Sequence, residues 1–281
     1  MERAEGQRPA LRWVAEADWS QGSAALRRLR TARQLDRRQV VALLQRGQYQ
    51  VVPLEAPDVP RDEWKQAIRW QCKDLVPFAI DEAAIDLLEL PQSPSASTRA
   101  KVLAVAAPQA MVDALVEPVQ GARIPLKAVD IPEVALRNVS ALVEPAERAQ
   151  ALLYVGSHSL LVITAGGELL QTRAFELSAA QLGAADDDPV RRQAFDRVGL
   201  ELQRTMDSFE RQHTHLALAR LLVAPAAGSA ALCSFLRELL YTPVEELDVG
   251  DALNLSAVPA LADPLAFGPW LPAVGAALRE G

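Results

Sequence analysis

ALLYVGSHSLLVITAGGELLQTRAF, residues 151–175, is the stretch from which the fold is read. Its apolar residues come in three blocks: Leu152, Leu153 and Val155, then Leu160 to Ile163, then Leu169 and Leu170. Gly156-Ser157-His158 separates the first two blocks, and Gly166-Gly167 separates the next two. Short apolar blocks parted by glycine turns predict a hairpin meander of two or three strands. A glycine turn between buried strands can aim backbone N–H groups at a phosphate. It is also simply how hairpins turn, and the function depends on which of these it is.

Outward from this stretch, the chain has an α/β pattern on both sides. Its 281 residues suit about two domains of ~150 residues. Half of the residues are hydrophobic and 23% are charged, which supports a sizeable core. A net charge of -7 argues against nucleic acid as a partner, because phosphate neutralisation needs a surplus of Lys and Arg. Cys72 and Cys233 are far apart and form neither a disulfide framework nor a metal-ligand spacing. No apolar run reaches the ~18 residues of a membrane span. The first residues lack an apolar signal core. A soluble cytoplasmic protein is expected, with membrane association only indirect, through a partner.

Before the meander, residues 1–9 read as disordered and residues 11–15 as a short strand. Residues 23–35 read as a helix with Leu26, Leu29 and Ala32 on one side. Arg27, Arg28, Arg30 and Arg33 lie elsewhere on it, and the cluster continues to Arg37 and Arg38. This is either a solvated helix face or a contact for acidic lipid headgroups or an acidic partner. Strands follow at 40–44 and 49–54, with Gly47 in the turn between them. The proline-rich link at 56–60 marks a subdomain boundary. Residues 62–76 form a helix with Trp64, Ala67, Ile68, Cys72 and Leu75 on one stripe, ended by Pro77. Trp70 is off the stripe: it either packs on the following segment or contacts a partner. A strand at 84–90, a polar loop QSPSAST at 92–98, a strand at 101–107, a helix at 109–119 facing Met111, Val112 and Leu115 inward, and a strand at 124–129 complete this half. The helix at 130–143 opens with a capping box between Asp130 and Glu133, worth ~1 kcal/mol. Its inward stripe is Ile131, Val134, Ala135, Val139 and Leu142.

After the meander, residues 182–188 read as a loop. Asp186, Asp187 and Asp188 are better placed to cap the next helix than to hold a metal. That helix spans 189–212, with Phe195, Val198, Gly199, Leu202, Met206 and Phe209 facing in. A strand at 218–223, a turn at 226–229 containing Gly228, a helix striped by Leu232, Phe235, Leu236, Leu239 and Leu240, a strand at 244–249 and a terminal helix at 270–279 follow.

Motifs of catalysis are missing from the sequence. His158, His213 and His215 form no metal pattern with cysteines or acids. There is no nucleophile elbow, Walker loop or dinucleotide-binding turn. Ser157 and His158 are adjacent on a turn and point apart. Gly228-Ser229 ahead of a helix is a weak anion-binding signal.

Four blocks carry a family resemblance: YQVVPLEAPDVPRDEWKQAIRWQCKDLVPFAIDEAAID at 49–86, VDIPEVALRNVSA at 129–141, GGELLQTR at 166–173 and LELQRTMDSFERQ at 200–212. Together they resemble the bacterial MshI family of pilus-biogenesis proteins, and more distantly the type IV pilus assembly protein PilM. The resemblance implies a two-lobed actin-like (ribonuclease H-like) α/β fold with an inserted PilM/FtsA-type subdomain. The first lobe would be 1–149, with the insertion at about 59–124. The second lobe would be 150–281, its last helix (about 270–279) returning to the first lobe.

It further implies a role in assembling a type IV or MSHA-type pilus, at the cytoplasmic face of the inner membrane. There the chain would bind the N-terminal cytoplasmic tail of an inner-membrane pilus assembly protein, and self-pairing into a homodimer stays open. The sequence departs from the family at its nucleotide loops. The first strand hairpin with its phosphate loop is missing. The second phosphate loop reads Tyr154-Val155-Gly156, with a tyrosine in place of the acid, and the adenosine-side loop reads Ala226-Ala227-Gly228-Ser229.

ATP hydrolysis depends on metal and phosphate positioning. These departures therefore predict no cofactor and no catalysis. The alternative is ATP with Mg bound at Gly156, Ser157, Gly228 and Ser229. A third reading is a cytoplasmic actin-like component of a type II secretion platform. The partner contact is expected in the inserted subdomain, at Trp70, Trp64 and Asp74.

Overall fold

The computed structural model describes residues 1, 8–91, 100–185 and 187–279. Most of the expected N-terminal disorder, the QSPSAST loop and Asp186 lie outside the described residues. The chain divides into two compact units, Ala15–Pro132 and Met1–Val14 with Glu133–Gly281.

The unit Ala15–Pro132 carries α1 (Ser23–Arg33), β1 (Val40–Leu43), β2 (Gln50–Glu55), α2 (Trp64–Cys72), β3 (Ala83–Glu89), β4 (Lys101–Pro108), α3 (Gln109–Gly121) and β5 (Leu126–Asp130). β1 and β2 are not a hairpin around Gly47, as their closeness in sequence implies. β1 pairs in parallel with β5, whereas β2 pairs antiparallel with β4, which also pairs with β3. Under this three-stranded sheet lies a core of Ala56, Ile68, Cys72, Ile80, Ala83, Val102, Ala104 and Ala106. α2 ends at Cys72, four residues short of the expected end. The segment ahead of Pro77 cannot stay helical, because proline pushes its predecessor toward extended backbone. α3 turns Met111 outward at 42% exposure and buries Val119 instead.

In the other unit, α4 (Pro132–Ala141) precedes the meander β6 (Ala149–Val155), β7 (Ser159–Ala165) and β8 (Glu168–Phe175). Then come α5 (Ala179–Leu182), α6 (Pro189–Gln212), β9 (Leu218–Val223), α7 (Ser229–Leu239), β10 (Val244–Glu246), α8 (Pro264–Phe267) and α9 (Leu271–Ala277). The sheet order is β10-β9-β6-β7-β8. β6, β7 and β8 are antiparallel neighbours, while β9 and β10 join in parallel beyond β6. Their long connections through α6 and α7 are what parallel pairing requires. Six residues of β7 in succession are buried, because helices or chain cover both faces of this strand.

α4 groups with this unit, although the resemblance implies a second lobe starting only at residue 150. A buried polar network accounts for this. The Ser140 and Thr164 hydroxyls are 2.7 Å apart, and the Gln150 amide donates to the Ser140 carbonyl at 2.8 Å. Arg220 donates to Gln150, to the Val143 carbonyl and to Glu245. Satisfied buried polar groups fix one arrangement of their elements. The Glu144 carboxylate also caps the β7–β8 turn by accepting from the Gly167 N–H at 2.6 Å. Residues 11–15 form no strand; Ala10 makes a single bridge to Asn254.

Candidate functional site

Two places hold the residues that the sequence singles out. The first is the pair of glycine turns. Gly156 closes the β6–β7 turn, with Ser157 exposed and its hydroxyl 3.3 Å from His158 Nδ1. Residues two apart on a strand share a face, and the Tyr154 ring accordingly folds back over Gly156. A Cβ on Gly156 would stand 2.8 Å from the Tyr154 hydroxyl. Burial raises the Tyr154 phenol above its ordinary pKa, so the group is neutral where an acid would carry charge. The second turn is closed from below and from the side. Gly228 has φ +85°, and a Cβ there would lie 2.1 Å from the Leu182 carbonyl oxygen. The Ser229 hydroxyl is buried and donates to Glu246 Oε1 at 2.8 Å. Glu246 therefore puts a carboxylate beside the first turn of α7, where an anion would otherwise be favoured. The same carboxylate, after burial itself, pushes the Cys233 thiol up to about 11.

Sequence reasoning missed what joins the two turns. α5 falls in the stretch between the meander and the loop expected from residue 182, to which the sequence assigns no element, yet Ser178 and Gln181 make a full capping box for it. The spacing Ser-x-x-Gln was the available signal. The Gly156 carbonyl accepts from the Ala179 N–H at 2.8 Å, and Gly228 sits against Leu182. The four residues of α5 thus lie between the turns, one at each end.

The second place is the surface of α2. Trp70 is 71% exposed, and Leu75 beyond the helix end is 54% exposed. The Lys73 ammonium is 5.9 Å from the Trp70 ring centre, and Asp74 is exposed beside it. Trp64 is placed differently. It packs against the core under the sheet, donates its indole N–H to the Val59 carbonyl at 3.1 Å and carries Arg61 over its ring. Trp70 and Asp74 are therefore both exposed, whereas Trp64 is half-buried against the core. Arg69 fastens α2 by donating to the Ile80 and Ala83 carbonyls.

The family described as type IV pilus assembly protein PilM matches residues 17–169, more than half of the chain. Among solved structures, a PilM-PilN type IV pilus biogenesis complex is 21% identical with a TM-score of 0.69, covering 92% of this chain and 84% of that one. The cytoplasmic domain of EpsL, an inner-membrane component of the type II secretion system of Vibrio cholerae, is 16% identical with a TM-score of 0.46, covering 92% and 82%. A Bacteroides thetaiotaomicron protein with an actin-like ATPase fold is 11% identical with a TM-score of 0.48, covering 88% and 83%. No curated relative matches the chain. The likeness to the PilM-PilN complex shows the actin-like α/β fold expected from the sequence. Among the described residues, no helix is long and apolar enough to cross a membrane. From the extent of the family match, the chain belongs to the type IV pilus assembly protein PilM family.

Proposed function

We propose that this chain is a non-catalytic scaffold of type IV pilus biogenesis, of the MshI or MSHA type, acting at the cytoplasmic face of the inner membrane. It binds the N-terminal cytoplasmic tail of an inner-membrane pilus assembly protein. The observation that carries the non-catalytic reading is the filling of both glycine turns by the chain itself. Tyr154 covers Gly156, the Leu182 carbonyl meets Gly228, and Glu246 takes the Ser229 hydroxyl. Phosphoryl transfer needs donors and a metal aimed at phosphate, and a carboxylate at the head of α7 repels that phosphate instead.

Tail binding is supported by family membership, by the partner in the PilM-PilN complex and by the exposed Trp70 surface. An exposed Trp flanked by a cation and an acid is the composition of an interface anchor. Calorimetry with the cytoplasmic tail peptides of inner-membrane pilus proteins tests this reading. One peptide binds, and Trp70→Ala weakens it by roughly thirtyfold, an anchor-sized effect of about 2 kcal/mol. Micromolar binding of Mg-ATP in the same cell would replace the scaffold reading with the ATP-binding one.

A further inference from the structure

We infer that α1 and the turn after it form a docking face for an anionic lipid surface, a direct membrane contact separate from any tail. Residues 23–46 hold seven arginines and one acidic residue, in a chain whose net charge is -7. Charge segregation of this size sets up a local positive potential that the average composition hides. The structure places Arg27, Arg28, Arg33, Arg37 and Arg38 at the surface. Part of the cluster has structural work. Arg27 donates to the Gly121 carbonyl at 3.2 Å and Arg30 to the Ala122 carbonyl at 3.4 Å, both at the end of α3. Arg28 donates to the Gln21 side chain. These three partners are neutral, so the bonds fix the guanidinium groups without cancelling their charge. Arg123 and Lys127 add exposed positive charge on the segment after α3. Of the acids just ahead of α1, Glu16 is exposed and Asp18 is engaged by Ser20 and Gln21, which hold its carboxyl below the usual range.

Lipid is favoured over an acidic protein by what lies between the arginines. Leu26 and Leu29 turn toward the α1 underside, leaving Ala24, Thr31, Ala32 and Gln34 exposed between the charges. A protein partner needs an apolar anchor at the centre of its interface, and this face has none. An array of cations needs no such anchor on a bilayer, where each contributes on its own. The large apolar group that is present, Trp19, stands at the edge, half-exposed on the turn leading into α1. An aromatic ring at the rim of a basic face suits the headgroup level of a membrane.

The test is sedimentation of the full chain with vesicles of phosphatidylcholine alone and of phosphatidylcholine mixed with phosphatidylglycerol. The chain sediments with the mixed vesicles at low salt, less so at physiological salt, and not with the neutral ones. Removing two charges with Arg28→Gln and Arg37→Gln together weakens binding by roughly thirtyfold. The same charge loss through Arg192→Gln and Arg211→Gln, exposed on α6 of the other unit, leaves it unchanged. Circular dichroism melts of both double variants separate lost binding from lost folding. Equal binding to both vesicle types, equal effects of the two pairs, or binding to a polyglutamate peptide but to neither vesicle would overturn the inference.

Discussion

Trp64 and Trp70 differ by six positions and by nearly everything else. Trp64 opens α2, half-buried against the core and bonded to Val59, so Trp64→Ala removes packing and costs roughly 2–3 kcal/mol. Trp70 is open, so Trp70→Ala changes stability by no more than about 0.5 kcal/mol. Urea midpoints of the two variants check this, and a collapse of Trp70→Ala would make Trp70 a structural residue. Cys233 offers a second residue-scale test. Its thiol is raised to about 11 in the folded chain by burial and by Glu246. Between the ordinary thiol pKa and that value the unfolded chain ionises first and the folded chain keeps its proton. The contribution of Cys233 is therefore intact at neutral pH and is lost as pH rises from about 9 toward 11. Urea melts across that window fall less steeply for Cys233→Ala than for the parent. The Tyr154 ring lies over Gly156 because residues two apart on a strand share a face.

At the scale of elements, local signals were read well and non-local pairings were not. α6 runs Pro189–Gln212 as its period predicts, because Asp188 accepts from the Val190 N–H at 2.8 Å and Pro189 fills the first turn. β9 also has its expected bounds. By contrast, nothing in residues 40–54 says that β1 seeks β5 and β2 seeks β4, since pairing depends on chain far away in sequence. Of the candidate site, the sequence singled out Trp70, which is exposed, and the two glycine turns; it did not show α5 between them, because four residues carry too little periodicity and leave only the Ser178–Gln181 cap as a signal. Two glycines test how the elements pack. A Cβ on Gly275 of α9 would stand 2.0 Å from the Ala135 carbonyl oxygen of α4. Backbone cannot yield there, so Gly275→Ala costs about 2–3 kcal/mol in a urea melt. A Cβ on Gly199 of α6 would meet the tip of the Leu239 side chain at 2.3 Å. That tip can rotate away and alanine favours the helix, so Gly199→Ala stays within about 1 kcal/mol.

For the whole molecule, the scaffold reading makes a thermal prediction. A ligand at a hundred times its dissociation constant stabilises the folded chain by about 2.7 kcal/mol. Millimolar Mg-ATP would then raise the melting temperature of a micromolar binder by several degrees, and here it leaves the melt unchanged. A clear rise would restore the ATP-binding alternative. The order of the five-stranded sheet has a different consequence. β8 is an outer strand of that sheet, and eight residues long. An outer strand offers its peptide groups as a template for a foreign strand, and charge along it is the usual guard against fibre growth. Glu168 and Arg173 stand on β8, paired with Arg137 and Glu201. Their ion pairs add little stability at such exposure, so their value lies in solubility: a chain in which both become valine should melt normally and yet scatter light on storage.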